Sequence, residues 1–280
     1  MNASFLRDLA RVSLEPWKRG ERFAMLEFYY DDSGTHRGSR VAVWGGIAGH
    51  TEYCNELEVA WKSQLTHPCD GKPPIKAFHS SLLSAGRGEF EGYSEAEKDL
   101  TRRNFRKIIL DAGLTVLSFG VSISDWDEIV TGDARILMGD AERYAFAVAI
   151  RDSCRDAESD GQPLSFKFDR GRKSMALDSI VEHAIDAAGI DVNSVSYGYS
   201  PVLGNMGLQA ADLVAHETYR FLTNYIDDPN AGPDPHLKRL FESARDAQVR
   251  WTGRKQIQKM ADHVLPLIDQ MNRSEDRPEE

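Results

Sequence analysis

Apolar runs alternate with glycine, proline and carboxylate clusters along the chain, and their periods predict the elements. Phe23 to Tyr30 is an apolar and aromatic run that reads as a buried strand. Arg40 to Ala48 is a second one, and the Gly-containing link Ser33 to Ser39 predicts a β-hairpin between them. Leu57, Ala60, Trp61 and Leu65 recur at helical spacing within Glu52 to Leu65. Prolines and a glycine make His67 to Pro74 a loop, Ile75 to His79 is strand-like, and Leu82 to Tyr93 reads as exposed.

Ser94 followed by Glu97 forms a capping box that opens a helix over Glu95 to Ala112, with Arg102, Arg103, Arg106 and Lys107 expected on its outer face. Leu114 to Ile123 predicts a strand and Asp140 to Asp156 a helix. From Pro163 to Asp169, Leu164, Phe166 and Phe168 alternate with Ser165, Lys167 and Asp169, which is the period of a strand. An amphipathic helix over Lys173 to Ala188 stops at Gly189, Val192 to Tyr199 predicts another strand, and Gly207 to Tyr225 another helix. After the Pro/Asp-rich break at 227–235, one or two helices fill 236–272. A hairpin followed by alternating helices and strands predicts an α/β domain over residues 23–226, with a mixed sheet flanked by helices and a C-terminal helical extension over 236–272. Residues 1–22 read as a short helix or arm leading into the first strand.

Composition narrows the function only a little. The net charge of −10 argues against a surface that binds polyanions everywhere, yet it allows a nuclease whose acids gather around metals. No apolar run approaches about 18 residues, so no membrane span is expected. The three widely spaced cysteines form no CxxC pair and suit a reducing cytoplasm.

The candidate chemistry lies in carboxylates at element ends. Asp31 and Asp32 close the first strand in Phe28-Tyr29-Tyr30-Asp31-Asp32-Ser33-Gly34, where two acids leaving a buried strand call for compensation. Either a divalent cation or a solvated turn capped by Asp31 or Asp32 supplies it. Asp169 ends a later strand and is followed by Arg170, Gly171, Arg172 and Lys173, which suit either phosphate binding at a helix start or a solvated basic turn. Asp212 stands inside an apolar helix, on one face with Gln209 and His216. That polar stripe is either aimed at a partner or lies on the surface opposite Leu208, Ala211 and Ala215. His79 at a strand end fits a structural role as well as a metal, water or phosphate contact. HExxH, Walker A and GxGxxG patterns are absent from the sequence.

The strand ending in Asp31-Asp32-Ser33-Gly34, the Phe168-Asp169-Arg170 segment and the helical Leu208-Gln209-Ala210-Ala211-Asp212 segment together resemble the domain-of-unknown-function-3800 family, a mostly bacterial and phage group that looks like a branch of the ribonuclease-H-like superfamily. The resemblance covers about Leu26 to Tyr219. It implies a ribonuclease-H-like mixed sheet and a nuclease that cleaves phosphodiester bonds with Mg2+ or Mn2+. In that reading Asp31, Asp169 and Asp212 are metal ligands, Asp32 and His79 assist, and Arg170, Arg172, Lys173 and Gln209 meet substrate phosphate. Asp32 stands where the family usually has Glu. The implied partner is nucleic acid, DNA or RNA, together with a possible protein partner or second copy in anti-phage defence. The same residues fit a catalytically silent nucleic-acid-binding or assembly module, or a metal-dependent hydrolase of a small nucleotide.

Overall fold

The computed structural model describes residues 25–157, 162–169, 177–228, 230, 235–244 and 246–275. The expected arm at 1–22 lies outside them. A six-stranded sheet runs in the order β5-β4-β1-β2-β3-β6. Strands β1 (Leu26–Ser33), β2 (Val41–His50) and β3 (Thr115–Ser122) form an antiparallel meander. Strand β4 (Leu164–Asp169) runs parallel to β1 with Phe168 beside Tyr30, and β5 (Val195–Ser200) runs parallel to β4 with Ser200 beside Asp169. The chain is therefore α/β, with a mixed sheet that starts in an antiparallel hairpin. Among the described residues, no helix is long and apolar enough to cross a membrane.

The pleat of β1 sends alternate side chains to opposite faces, and each face carries its own core. Phe28 and Tyr30 join Trp44, Phe119, Phe166 and Phe168 on one face. The helices that cover it are α6 (Ala141–Ala157) and α7 (Asp178–Ala188), reached in chain order after α1 (Thr51–Thr66), α2 (Ser80–Ala85), α3 (Glu95–Asp111), α4 (Ile123–Ile129) and α5 (Gly132–Met138). Tyr29 points the other way. It joins Ile47, Trp61 of α1, Phe105 of α3 and Leu208, Ala211 and Val214 of α8 (Met206–Asp227).

Two glycines let α8 lie directly on that second face. A Cβ on Gly45 would sit 2.4 Å from the Ala215 Cα, and one on Gly207 would sit 2.4 Å from the Tyr29 ring. At the end of β1, Gly34 turns the chain at φ +78°, a conformation that a residue with a Cβ resists. Asn205 starts α8 by accepting the Leu208 N–H through its side chain at 3.1 Å.

Most of the expected elements are present, including the capping box at Ser94, where both reciprocal bonds form. Four expectations change, the first being that 82–93 is not an exposed stretch, because Leu83, Phe90 and Tyr93 are buried in the core beside Phe78. The C-terminal segment holds α9 (Pro235–Ser243) and α10 (Arg254–Glu275), and between them β6 (Asp246–Thr252) adds a parallel strand beside β3. The extension is thus built into the sheet and is not purely helical. Residues 75–79 form no strand, because side chains replace the missing ladder. Arg102 and Arg106 of α3 are buried, contrary to the outer-face reading, and Arg102 pairs with the buried Glu217 of α8, its Nε 3.0 Å from Oε1.

Gly45→Val puts a branched side chain into the α8 backbone, so unfolding in urea is expected to show a loss of about 1–3 kcal/mol or more. Gly198→Val on β5, where a new Cβ meets nothing within 4 Å, is expected to stay near the parent. Equal losses for the two would refute the close seating of α8.

Candidate active site at the carboxyl ends of β1 and β4

Strand alternation decides which acids share a space. Asp31 follows the phase of Tyr29, and Asp169 follows that of Lys167, which stacks over the Tyr29 ring. Both carboxylates therefore point to the face that carries α8, where Asp212 arrives from the helix. Asp31 is 7% exposed. Burial pushes its carboxyl well above the usual range, and the charges of Asp212, Asp32 and Asp169 push it further. Asp212 is raised as well, chiefly by burial and partly by Asp169, against the lowering effect of the Ser80 N–H and of His79. The three acids of β1, β4 and α8 thus act on one another electrostatically.

Asp32, expected to assist, has the opposite strand phase. It pairs in register with Trp44 of the other core, and its carboxylate accepts the Thr35 hydroxyl in the hairpin turn. Asp31 Oδ1 in turn accepts the Asp32 N–H at 2.9 Å. Asp31 thus keeps one oxygen on the adjacent backbone amide while its side chain reaches the α8 face, and Asp32 bonds a side chain of the turn.

The polar stripe on α8 is aimed inward. Gln209 is fully buried, and its Oε1 accepts the Trp61 indole N–H at 3.0 Å and the Phe78 N–H at 2.8 Å, while its Nε2 donates to the Val202 carbonyl at 3.2 Å. One helical turn on, Asp212 Oδ2 accepts the Ser80 N–H at 2.7 Å. Gln209 and Asp212 therefore act as a surrogate strand for Phe78 and Ser80, two alternate amides of an extended segment. Glu89 does the same for the Lys76 N–H at 2.8 Å and the Ala77 N–H at 3.3 Å. The expected phosphate contact by Gln209 is not what this geometry provides, because both ends of its amide are used inside the core.

His79 lies between the two clamped amides. Its side chain is 40% exposed, with Nδ1 3.9 Å from Asp212 Oδ1. His216, another turn along α8, meets Ser84 Oγ at 3.0 Å through Nε2. Burial, with Arg220 and Arg102 nearby, lowers its pKa to about 4, so the ring that meets Ser84 is neutral at neutral pH. Ser84 Oγ accepts from Arg102 at 3.2 Å. The sequence reading missed this second anchor at Ser84, for which the i, i+4 match of Ser80/Ser84 to Asp212/His216 was the available signal.

Arg170, Arg172 and Lys173 lie outside the described residues. Among the described residues, no three His, Cys, Asp or Glu groups are gathered into a ready ligand sphere. The donor chemistry nevertheless suits a hard divalent cation, since Asp31, Asp169 and Asp212 offer carboxylate oxygens whose mutual repulsion a cation relieves. A cavity of about 210 Å³ opens instead where β1 begins, lined by residues that include Leu26, Tyr53, Ser153 and Gln248, and the carboxylates line none of it. No protein-family model matches the chain, and no curated protein is similar to it in sequence.

The raised folded-state pKa of Asp31 has a defined sign. Folding binds extra protons between the unfolded value, about 3.9, and the raised folded value. Stability from this group is full below that window and is lost as the pH rises through it. Asp31→Asn is therefore expected to raise the melting temperature of the metal-free protein at pH 7 and to flatten its fall between pH 4 and neutrality. A variant that melts lower at pH 7 and keeps the parental pH profile would overturn the assignment.

Proposed function

We propose that this chain is a metal-dependent nuclease on a ribonuclease-H-like fold, related to the domain-of-unknown-function-3800 family. The carrying observation is the buried Asp31, raised by Asp212, Asp32 and Asp169, at the end of a central strand. Carboxylates from a central strand, its parallel neighbour and a late helix match the layout that the resemblance implies. Asp31, Asp169 and Asp212 would hold Mg2+ or Mn2+. When bound, such cations lower the pKa of water and stabilise the leaving oxygen of a phosphodiester.

The chain's own groups do the rest. Asp212 is fixed by the Ser80 N–H, so its carboxylate cannot swing away from the strand ends. His79, beside Asp212 and open to solvent, carries a proton to or from the reacting oxygens. Arg170, Arg172 and Lys173, immediately after Asp169, supply positive charge for the substrate backbone in this reading. The substrate is nucleic acid, the setting cytoplasmic, and anti-phage defence is the biological role that the resemblance brings.

Incubation of the full chain with labelled DNA and RNA is expected to give Mn2+- or Mg2+-dependent cleavage that EDTA stops. Asp31→Asn, Asp169→Asn and Asp212→Asn should each cut the rate by a factor of about 10² or more. Mn2+ should raise the melting temperature of the parent and leave that of Asp31→Asn unchanged. Cleavage that persists in all three variants, or a chain inert to every nucleic acid with no thermal response to metal, would end the nuclease proposal.

A further inference from the structure

Lys167 is a cation on the site face that the carboxylate set leaves unused. It stands two residues before Asp169 on β4, and two strand residues advance about 6.6 Å. Its Nζ is held by Glu27 Oε2 at 2.6 Å and by the Tyr29 hydroxyl at 3.0 Å, and it lies 4.7 Å from the centre of the Tyr29 ring. Tyr29 in turn donates to Glu27 Oε2 at 2.6 Å. Glu27 is fully buried, and burial raises its carboxyl less than Lys167 and Tyr29 lower it, so it is held ionised. The ammonium is thus fixed by two acceptors and a ring, and a third proton remains on a side chain that is 23% exposed.

Among the described residues, the β5 side of that third proton is open. Gly198 of β5 is the register partner of Lys167, and a Cβ built on it meets nothing within 4 Å. Ser196 and Ser200, in the same strand phase, are small and polar, while Tyr197 and Tyr199 turn to the other face and bond Glu182 and Asp178 of α7. Among the described residues, α8 covers β1 and β2 on this face and leaves β5 uncovered. Among the described residues, a strip about two strands wide, roughly 10 Å, lies over β4 and β5 beside that glycine and suits one nucleic-acid strand. This preorganised ammonium lies within one or two nucleotides of the carboxylates, at about 3.4 Å of axis each, which is within reach of a backbone phosphate.

We infer that Lys167, held by Glu27 and Tyr29, binds a backbone phosphate of the substrate strand next to the cleaved one, with that strand lying over Gly198. The inference rests on the nuclease reading and adds the direction in which the substrate leaves the carboxylates. It makes Lys167 a substrate-binding residue and Glu27 and Tyr29 its positioning residues.

The test is fluorescence anisotropy of the full chain with labelled single-stranded DNA and RNA in Ca2+, over a salt series. Two variants attack the contact independently. Gly198→Tyr fills the open strip while keeping both charges of the ion pair. The double variant Lys167→Gln with Glu27→Gln removes the ammonium without leaving Glu27 buried and unpaired. Each is expected to raise Kd about tenfold at 50 mM salt, the worth of one phosphate contact. The double variant should also lower the slope of log K against log salt by about 1, and Lys167→Arg should restore it. The Mn2+-dependent thermal shift of Gly198→Tyr should match the parent. Parental binding with unchanged Kd and salt slope in both variants overturns this inference alone. A parent that binds no oligonucleotide removes the nucleic-acid reading and this inference together.

Discussion

The structure around the candidate site depends on two amide bonds, Phe78 N–H to Gln209 and Ser80 N–H to Asp212. The segment that carries them is extended but has no neighbouring strand among the described residues, so its backbone donors have no ladder to join. A buried donor left without a partner costs about 1–3 kcal/mol, and α8 removes that cost twice with side chains one turn apart. The same bonds fix where α2 begins and hold His79 beside Asp212. Ser84 and His216 repeat the device one turn later, with the buried Arg102 and Glu217 behind them. Asp212 is thus both a fastener of the fold and a member of the carboxylate set, which explains how an aspartate can stand in the middle of an apolar helix that would otherwise disfavour it.

That double use carries an electrostatic penalty. Asp31 is buried beside three other carboxylates, and each of them pushes its proton affinity up. A sequence selected for stability alone would place an amide or an apolar residue there. Glu27, on the same strand and face, shows the contrasting solution, since Lys167 and Tyr29 neutralise it from two sides. One face of β1 therefore carries a balanced acid at its start and an unbalanced one at its end, and the unbalanced one sits where the strand leaves the core.

Local periodicity made much of the architecture legible. The hairpin, the Ser94 capping box, the alternation in β4 and the polar stripe of α8 all follow from spacing that the chain displays openly. β6 was hidden because Asp246–Thr252 is short, lies between two helices, and is defined by pairing with the distant β3. Arg102 was read as exposed because helical patterning counts charge as outward, and only Glu217 from another helix makes its burial tolerable. From sequence, the stripe of Gln209, Asp212 and His216 fits a partner and the surface equally, and that it meets backbone amides and a serine is a fact of tertiary contact. The two-residue period does separate Asp31 from Asp32, yet adjacency in sequence made them look like one pair.

The position of the carboxylates follows from how unevenly the helices cover the sheet. α8 lies close on β1 and β2 because Gly45 and Gly207 allow it, and that half of the face is dry core. Beyond β4, β5 shows serines and a glycine to a face left open among the described residues. A charged group on the dry side would need a built-in counter-charge, as Glu27 has. A group far out on the open side would be screened by water and lose its electrostatic leverage. Asp31, Asp169 and Asp212 stand on the seam between the two. There burial and mutual repulsion raise the proton affinity of Asp31 and Asp212, and in the proposed reading a cation would relieve it. A fold that seated α8 one strand further over would bury the acids and close the strip. One without the glycines would lift the helix and separate Asp212 from the strands. The small residues under α8 thus set the chemistry of the site as firmly as the acids do.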